Sequence, residues 1–151
     1  MGVSPWHCDG RVKTMKTKIP LWINIVQVLL ILILLQQAYQ FYFDHSAVLK
    51  SGITIAGVPD MNLIYEYAGR TFTMAAISIV ILLSQNPRYF LLLFLINILR
   101  ETQETFIDPL FPLTNAPIAP IGDFIIHIII VGIEILAGIT LYRITKKYAI
   151  S

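Results

Sequence analysis

The chain has 151 residues, of which 56% are hydrophobic and 13% charged, with a mean hydropathy of +0.72 and a formal charge of +2. Soluble domains carry about 25% charged residues, so this composition reads as a single-domain integral membrane protein with the lipid bilayer as its first partner. No block of Lys and Arg is interleaved with aromatics, which excludes nucleic acid. Cys8 is the only cysteine, which excludes an internal disulfide and a CxxC site.

Met15 opens MKTKIPLWINIVQVLLILILL as a start with a basic n-region does, and residues 1–14 read as an extension ahead of it. The following LLQQAYQF offers no A-x-A cleavage site, so the first apolar segment is expected to stay as an anchor. Four spans are predicted, at about 20–39, 63–83, 89–107 and 123–142. Each is near the roughly 20 residues that a hydrocarbon core of about 30 Å demands. The fold class expected is all-α: an integral membrane protein with four transmembrane helices in an antiparallel up-down bundle. Between the first two spans, Asp44–Leu49 can make a helical turn, and Asp60 is the expected N-cap of the second span. Ser84–Arg88 is a short turn. Pro109 and Pro112 are expected to stop the third span, and Asp123 to cap the fourth.

The third span is the unusual one. Its apolar run, Tyr89–Leu99, is short, and Arg100, Glu101, Glu104 and Asp108 follow it. We read the helix as running on, which takes these charges to membrane depth. The other charges are sorted by side. Arg11, Lys13, Lys16, Lys18, Arg88, Arg143, Lys146 and Lys147 are eight of the eleven basic residues, and all fall on one side of a four-span topology. The positive-inside rule makes that side, and both termini, cytoplasmic.

Three predicted helices carry polar stripes at helical spacing. They are Glu66, Arg70 and Thr73 in the second, Asn97, Glu101, Glu104 and Asp108 in the third, and Asp123, His127 and Glu134 in the fourth. Stripes turned inward give a bundle with a polar interior. The rise of about 1.5 Å per residue puts Gln27, Asn97 and Glu134 about 14 Å from the cytoplasmic end. The same count puts Arg70, Glu101, Glu104 and His127 at roughly 20–24 Å. An ion-pair network of Arg70 with Glu66, Glu101 and Glu104 is expected, with Arg100 snorkelling outward. Glu134 has no basic residue at its height. It is therefore protonated, hydrogen-bonded to Asn97 or Gln27, or turned to a cavity or partner.

These stripes define the candidate ligand-binding residues Arg70, Asn97, Glu101, Glu104, His127 and Glu134. Arg70 would hold an anionic or carbonyl group and Glu134 would act as the deep acid or donor. His127, Glu101, Glu104 and Asp123 are metal-ligand types. The Glu-x-x-His pairs of di-iron bundles do not occur, however, so no metal site is expected. No cofactor is assigned. No nucleophile stands on the Asp123–His127 face, so no catalytic residue is assigned either. Seven tyrosines near span ends (Tyr39, Tyr42, Tyr65, Tyr67, Tyr89, Tyr142 and Tyr148) suit interfacial belts.

The order of short motifs carries a resemblance. Gly57-Val-Pro59 closes the first loop and Tyr67-Ala-Gly-Arg70 lies early in the second span. Asn86-Pro-Arg88, Arg100-Glu101 and Glu134 among small residues follow. This layout, over about residues 18–147, resembles the small four-helix bacterial membrane proteins of the DoxX-like group and its DUF4345-type relatives. The resemblance implies a four-helix fold and, for some members, thiosulfate:quinone oxidoreduction or redox-linked complexes. It matches Arg70, Arg100 and Glu134 and carries no catalytic role. The functional expectation is an outward-facing polar pocket for a small ligand, either quinone-like or a polar metabolite. The alternative is an accessory or assembly subunit whose stripes meet a membrane partner or a second copy of the chain.

Overall fold

The computed structural model describes residues 19–50, 52–110 and 120–149. These form five helices and no strand: α1 (Leu21–Phe43), α2 (His45–Lys50), α3 (Val58–Ser84), α4 (Pro87–Leu110) and α5 (Pro120–Ala149). Three helical stretches are long and apolar enough to cross a membrane: α1, α3, and Phe124–Lys147 within α5. α4 is 24 residues long but is not among them, since it gathers Arg100, Glu101, Glu104 and Asp108 toward its C-terminal end.

Several boundaries differ from expectation, for local reasons. α1 runs past residue 39 to Phe43. Asp44 then starts α2: its Oδ1 accepts from the Ser46 hydroxyl at 2.6 Å and from the Ala47 N–H at 3.1 Å. The Ser46 hydroxyl, followed by the Ala47 amide, holds the Asp44 carboxyl below its usual range. α3 begins at Val58, with Gly57 rather than Asp60 as its N-cap. Pro59 is tolerated in the first turn, and Asp60 turns back to accept the Ala56 N–H at 2.7 Å. α4 continues through Pro109 to Leu110. α5 starts at Pro120, so Asp123 lies inside its first turn and is not its cap. Pro112 lies outside the described residues. The α3–α4 turn is tight. Gln85 adopts a left-handed conformation (φ 49°), Asn86 Oδ1 accepts the Arg88 N–H at 3.0 Å, and Pro87 is the first helical residue.

The helices pack as two antiparallel pairs, α1 with α3 and α4 with α5. At one end Gln85 donates to Asn24 at 3.1 Å. At the other, Phe41 meets Tyr67 and Tyr42 stacks on Tyr65. α3 turns Ile64, Ala68, Thr71, Ala75 and Ser78 inward, mostly small residues that let helix backbones approach. At Gly69 an added Cβ would stand 3.3 Å from the Tyr42 hydroxyl, so a side chain there crowds the α1–α3 contact. The pairs are joined by an apolar core of Ile19, Ile23 and Leu30 with Phe90, Phe94, Ala137 and Leu141.

Most of the remaining apolar side chains face outward. Leu29, Leu32, Val80, Leu92, Leu99, Ile129 and Leu136 are all more than half exposed. Such a surface is insoluble in water and natural in lipid. Tyr39, Tyr65, Tyr67, Tyr89 and Tyr142 are exposed as well.

Packing predicts a contrast on one helix. Phe94→Ala, at a fully buried position, should lower unfolding stability in detergent micelles by roughly 3–5 kcal/mol. Leu95→Ala, on the outer face, should change it by less than about 0.5 kcal/mol. Equal effects in a thermal or denaturant melt would contradict the assignment of these two faces.

Candidate functional site

The polar stripe of α4 faces into the bundle. Phe90, Leu93, Phe94, Asn97, Glu101 and Thr105 are all buried, at spacings of three, four and one. The stripe of α5 meets it: Glu134 is buried and His127 is half-buried. The side chains of Asp108 and Asp123, expected on these stripes, lie outside the described residues.

Glu101 is the junction. One carboxylate oxygen accepts from the guanidinium of Arg100, the neighbouring residue on α4. The other lies 2.8 Å from Nδ1 of His127 on α5. Arg100 Nε stands 3.9 Å from Glu104, one turn on, and makes no hydrogen bond. Two glutamate side chains thus stand around one guanidinium.

A cavity of about 200 Å³ opens onto this cluster. α4 lines it with Asn97, Arg100, Glu101 and Glu104, α5 with His127, and α1 with Gln37; apolar side chains of α1 and α5 close it. Asn97 is 3% exposed and its Oδ1 has no hydrogen-bond partner; Gln37 Oε1 also has none. A buried acceptor left without a donor costs about 1–3 kcal/mol. A second, apolar cleft of about 160 Å³ runs between α1 and α5, lined by Val26, Leu29, Leu30, Ile33, Ile130, Ile133 and Glu134. The two hollows share Leu30, Ile33 and Ile130. A larger hollow of about 490 Å³ beside Tyr39, Tyr42 and Phe72 is apolar and holds none of the charged groups.

Five of the six candidate residues come together: Asn97, Glu101, Glu104 and His127 in the cavity, and Glu134 beside it. Glu134 is 1% exposed. Asn97 lies next to its carboxyl, yet neither carboxyl oxygen completes a hydrogen bond. Gln27 on α1 and Ser78 on α3 are likewise fully buried with unpartnered side-chain polar atoms.

Arg70 does not join them. The whole α3 stripe, Glu66, Arg70 and Thr73, faces outward. Arg70 has 79% of its side chain exposed and pairs with Glu66 at 3.2 Å, four residues earlier on the same helix. Arg100 takes the role expected of Arg70. Its stem curls inward, and only 28% of its side chain is exposed. Gln37 lies on no predicted stripe: it stands beside Gln36 at the end of the first span and falls about 80° from Gln27 around the helix.

The chain matches no protein-family model, no curated protein and no solved structure.

The two arginines should behave differently. Removing one partner of a buried ion pair costs about 3–5 kcal/mol, whereas an exposed pair contributes at most about 1 kcal/mol. Arg100→Gln should therefore sharply lower the melting temperature of the micelle-solubilised chain, and Arg70→Gln should leave it nearly unchanged. A larger loss for Arg70→Gln would show that α3, not α4, supplies the buried guanidinium.

Proposed function

We propose that this chain is a four-span membrane protein whose cavity among α1, α4 and α5 binds a small ligand with a polar head group. The observation that carries this reading is the meeting of Asn97, Arg100, Glu101, Glu104 and His127 around one hollow among these helices. Ionisable groups at membrane depth are expensive and mark functional sites by default. The adjoining α1–α5 cleft supports entry from the lipid, since it is apolar and ends at Glu134. A lipid-soluble molecule with a polar head, quinone-like in outline, fits both hollows: its apolar part along Leu29 and Ile133, its head among the α4 side chains.

The same reading takes α4 as the fourth span. Its 24 residues reach about 36 Å, enough to cross. Its charged groups Glu101 and Glu104 turn toward the bundle rather than lipid. Both termini are then cytoplasmic, in a bacterial inner membrane, and the polar cavity lies toward the outer face. The layout resemblance to the DoxX-like group remains part of this proposal.

A second reading, an accessory subunit or a homo-oligomer, is favoured by one observation. Glu66, Arg70 and Thr73 form a polar strip on the outer surface of α3, beside exposed apolar residues such as Leu63, Phe72, Ile77 and Val80. A partner helix would cover such a strip.

Two experiments test these readings. Native mass spectrometry of the chain released gently from its own membranes should retain a stoichiometric small-molecule mass that is lost in Asn97→Leu. A folded chain with no bound molecule, or one bound equally by the variant, would end the pocket reading. A protein co-released at fixed ratio would favour the subunit reading instead. For topology, Gln85→Cys and Ala56→Cys in a Cys8→Ser background should label with an impermeant maleimide from the cytoplasmic and outer sides respectively. Labelling of both from one side would remove the four-span arrangement.

A further inference from the structure

We propose that Glu101, Glu104 and His127 bind a single divalent first-row transition-metal ion, with the Asn97 amide oxygen as a further donor. This inference rests on the cavity being a ligand site and adds an ion to its polar end, apart from the lipid-soluble molecule proposed above.

The geometry comes first. One carboxylate oxygen from each glutamate and a ring nitrogen of His127 all lie within 4.8 Å of one another. Metal–ligand bonds of about 2.0–2.2 Å put neighbouring donor atoms roughly 3 Å apart. The His127 Nδ1–Glu101 Oε2 pair, at 2.8 Å, already stands at that spacing. The two edges to Glu104 are each no longer than 4.8 Å, so the ion would draw the Glu104 carboxylate in.

The donors set the class of ion. Two carboxylates and one imidazole are the mixed oxygen and nitrogen set that suits zinc, manganese or ferrous iron rather than a soft cuprous ion. A second, independent observation points to a cation. Asn97 sits one helical turn before Glu101 on the same face, 3% exposed, and lines the same cavity with its Oδ1 unpartnered. A bound cation supplies what a buried amide oxygen lacks, whereas an anion would leave it unsatisfied.

The charge balance agrees. Two glutamate side chains beside one guanidinium suit a cation better than an anion, and a low-dielectric wall strengthens that preference. Arg100 then acts as the competitor. It occupies one oxygen of Glu101 and leaves the other to His127. The ion takes that second oxygen together with Glu104 and the His127 nitrogen. If these residues were a salt-bridge clasp and nothing more, losing Arg100 would only weaken the bundle. If they form a metal site, losing Arg100 raises its affinity.

The test uses the full chain in detergent micelles, stripped with a chelator and titrated with Co²⁺ as a coloured probe, with Zn²⁺ as competitor. One Co²⁺ per chain is expected, with visible d–d bands and displacement by Zn²⁺. His127→Ala and Glu104→Gln should each weaken Co²⁺ binding by at least about tenfold. Arg100→Gln should bind more tightly than the parent chain and should recover thermal stability when metal is added. Each variant is scored only if its helical circular dichroism and elution match the parent; Glu104→Gln, at a half-exposed position, guards against a folding failure at Glu101. A folded parent chain that binds no stoichiometric Co²⁺ would overturn the proposal, as would binding unchanged in both His127→Ala and Glu104→Gln. An organic mass retained in native spectra without metal would remove the metal and leave the cavity reading standing. If neither metal nor organic mass is retained, both fall.

Discussion

Glu101 is the paired carboxylate on which this arrangement depends. Its two oxygens are taken from two directions, by Arg100 along α4 and by His127 across from α5. That single carboxylate fixes the height at which α4 and α5 meet, turns the Arg100 stem inward and orients the imidazole. It also explains how α4 carries charge beside exposed apolar residues such as Leu99. Pairing lowers the cost of charge among apolar side chains.

The rest of the bundle divides around this pair. One half is a dry core, where Phe90 and Phe94 of α4 fill the space between α1 and α5. In the other half Asn97, Glu101 and Glu104 replace phenylalanine on the same face. Large aromatic side chains close the interhelical space, whereas shorter polar ones leave a hollow open. The position of the cavity along α4 therefore follows from where the inward residues change from aromatic to polar, between Phe94 and Asn97. Glu134 stands at that boundary, on the apolar cleft but beside the polar hollow.

α3 is built on a different rule. In lipid no hydrophobic force drives helices together, so close contact comes from small side chains. Ala68, Ala75 and Ser78 supply it against α1, helped by Gly69 beneath Tyr42. Choosing that face for packing sends the opposite face, with Glu66 and Arg70, to the surface. There Arg70 pairs with Glu66, which also accepts from Asn62 on the same helix.

The sequence by itself determined the helical class, the apolar exterior and the grouping of residues within each helix. Asn97, Glu101 and Glu104 share a stripe, and so do His127 and Glu134, because a period of 3.6 residues is a property of the helix alone. The tight turn at Asn86-Pro87 was legible for the same reason: its chemistry is local. Only the tertiary structure decided which way each stripe turns. Periodicity orients a residue relative to its own helix and says nothing about the neighbouring helices. Polarity alone favoured an inward stripe on α3, but packing through Ala68, Ala75 and Ser78 overrode it. Arg100 stood about 60° off the stripe of α4 by backbone angle, yet its long side chain bridges that angle to reach Glu101. The guanidinium at the site thus comes from α4, because side-chain reach and helix rotation are set by three-dimensional contacts.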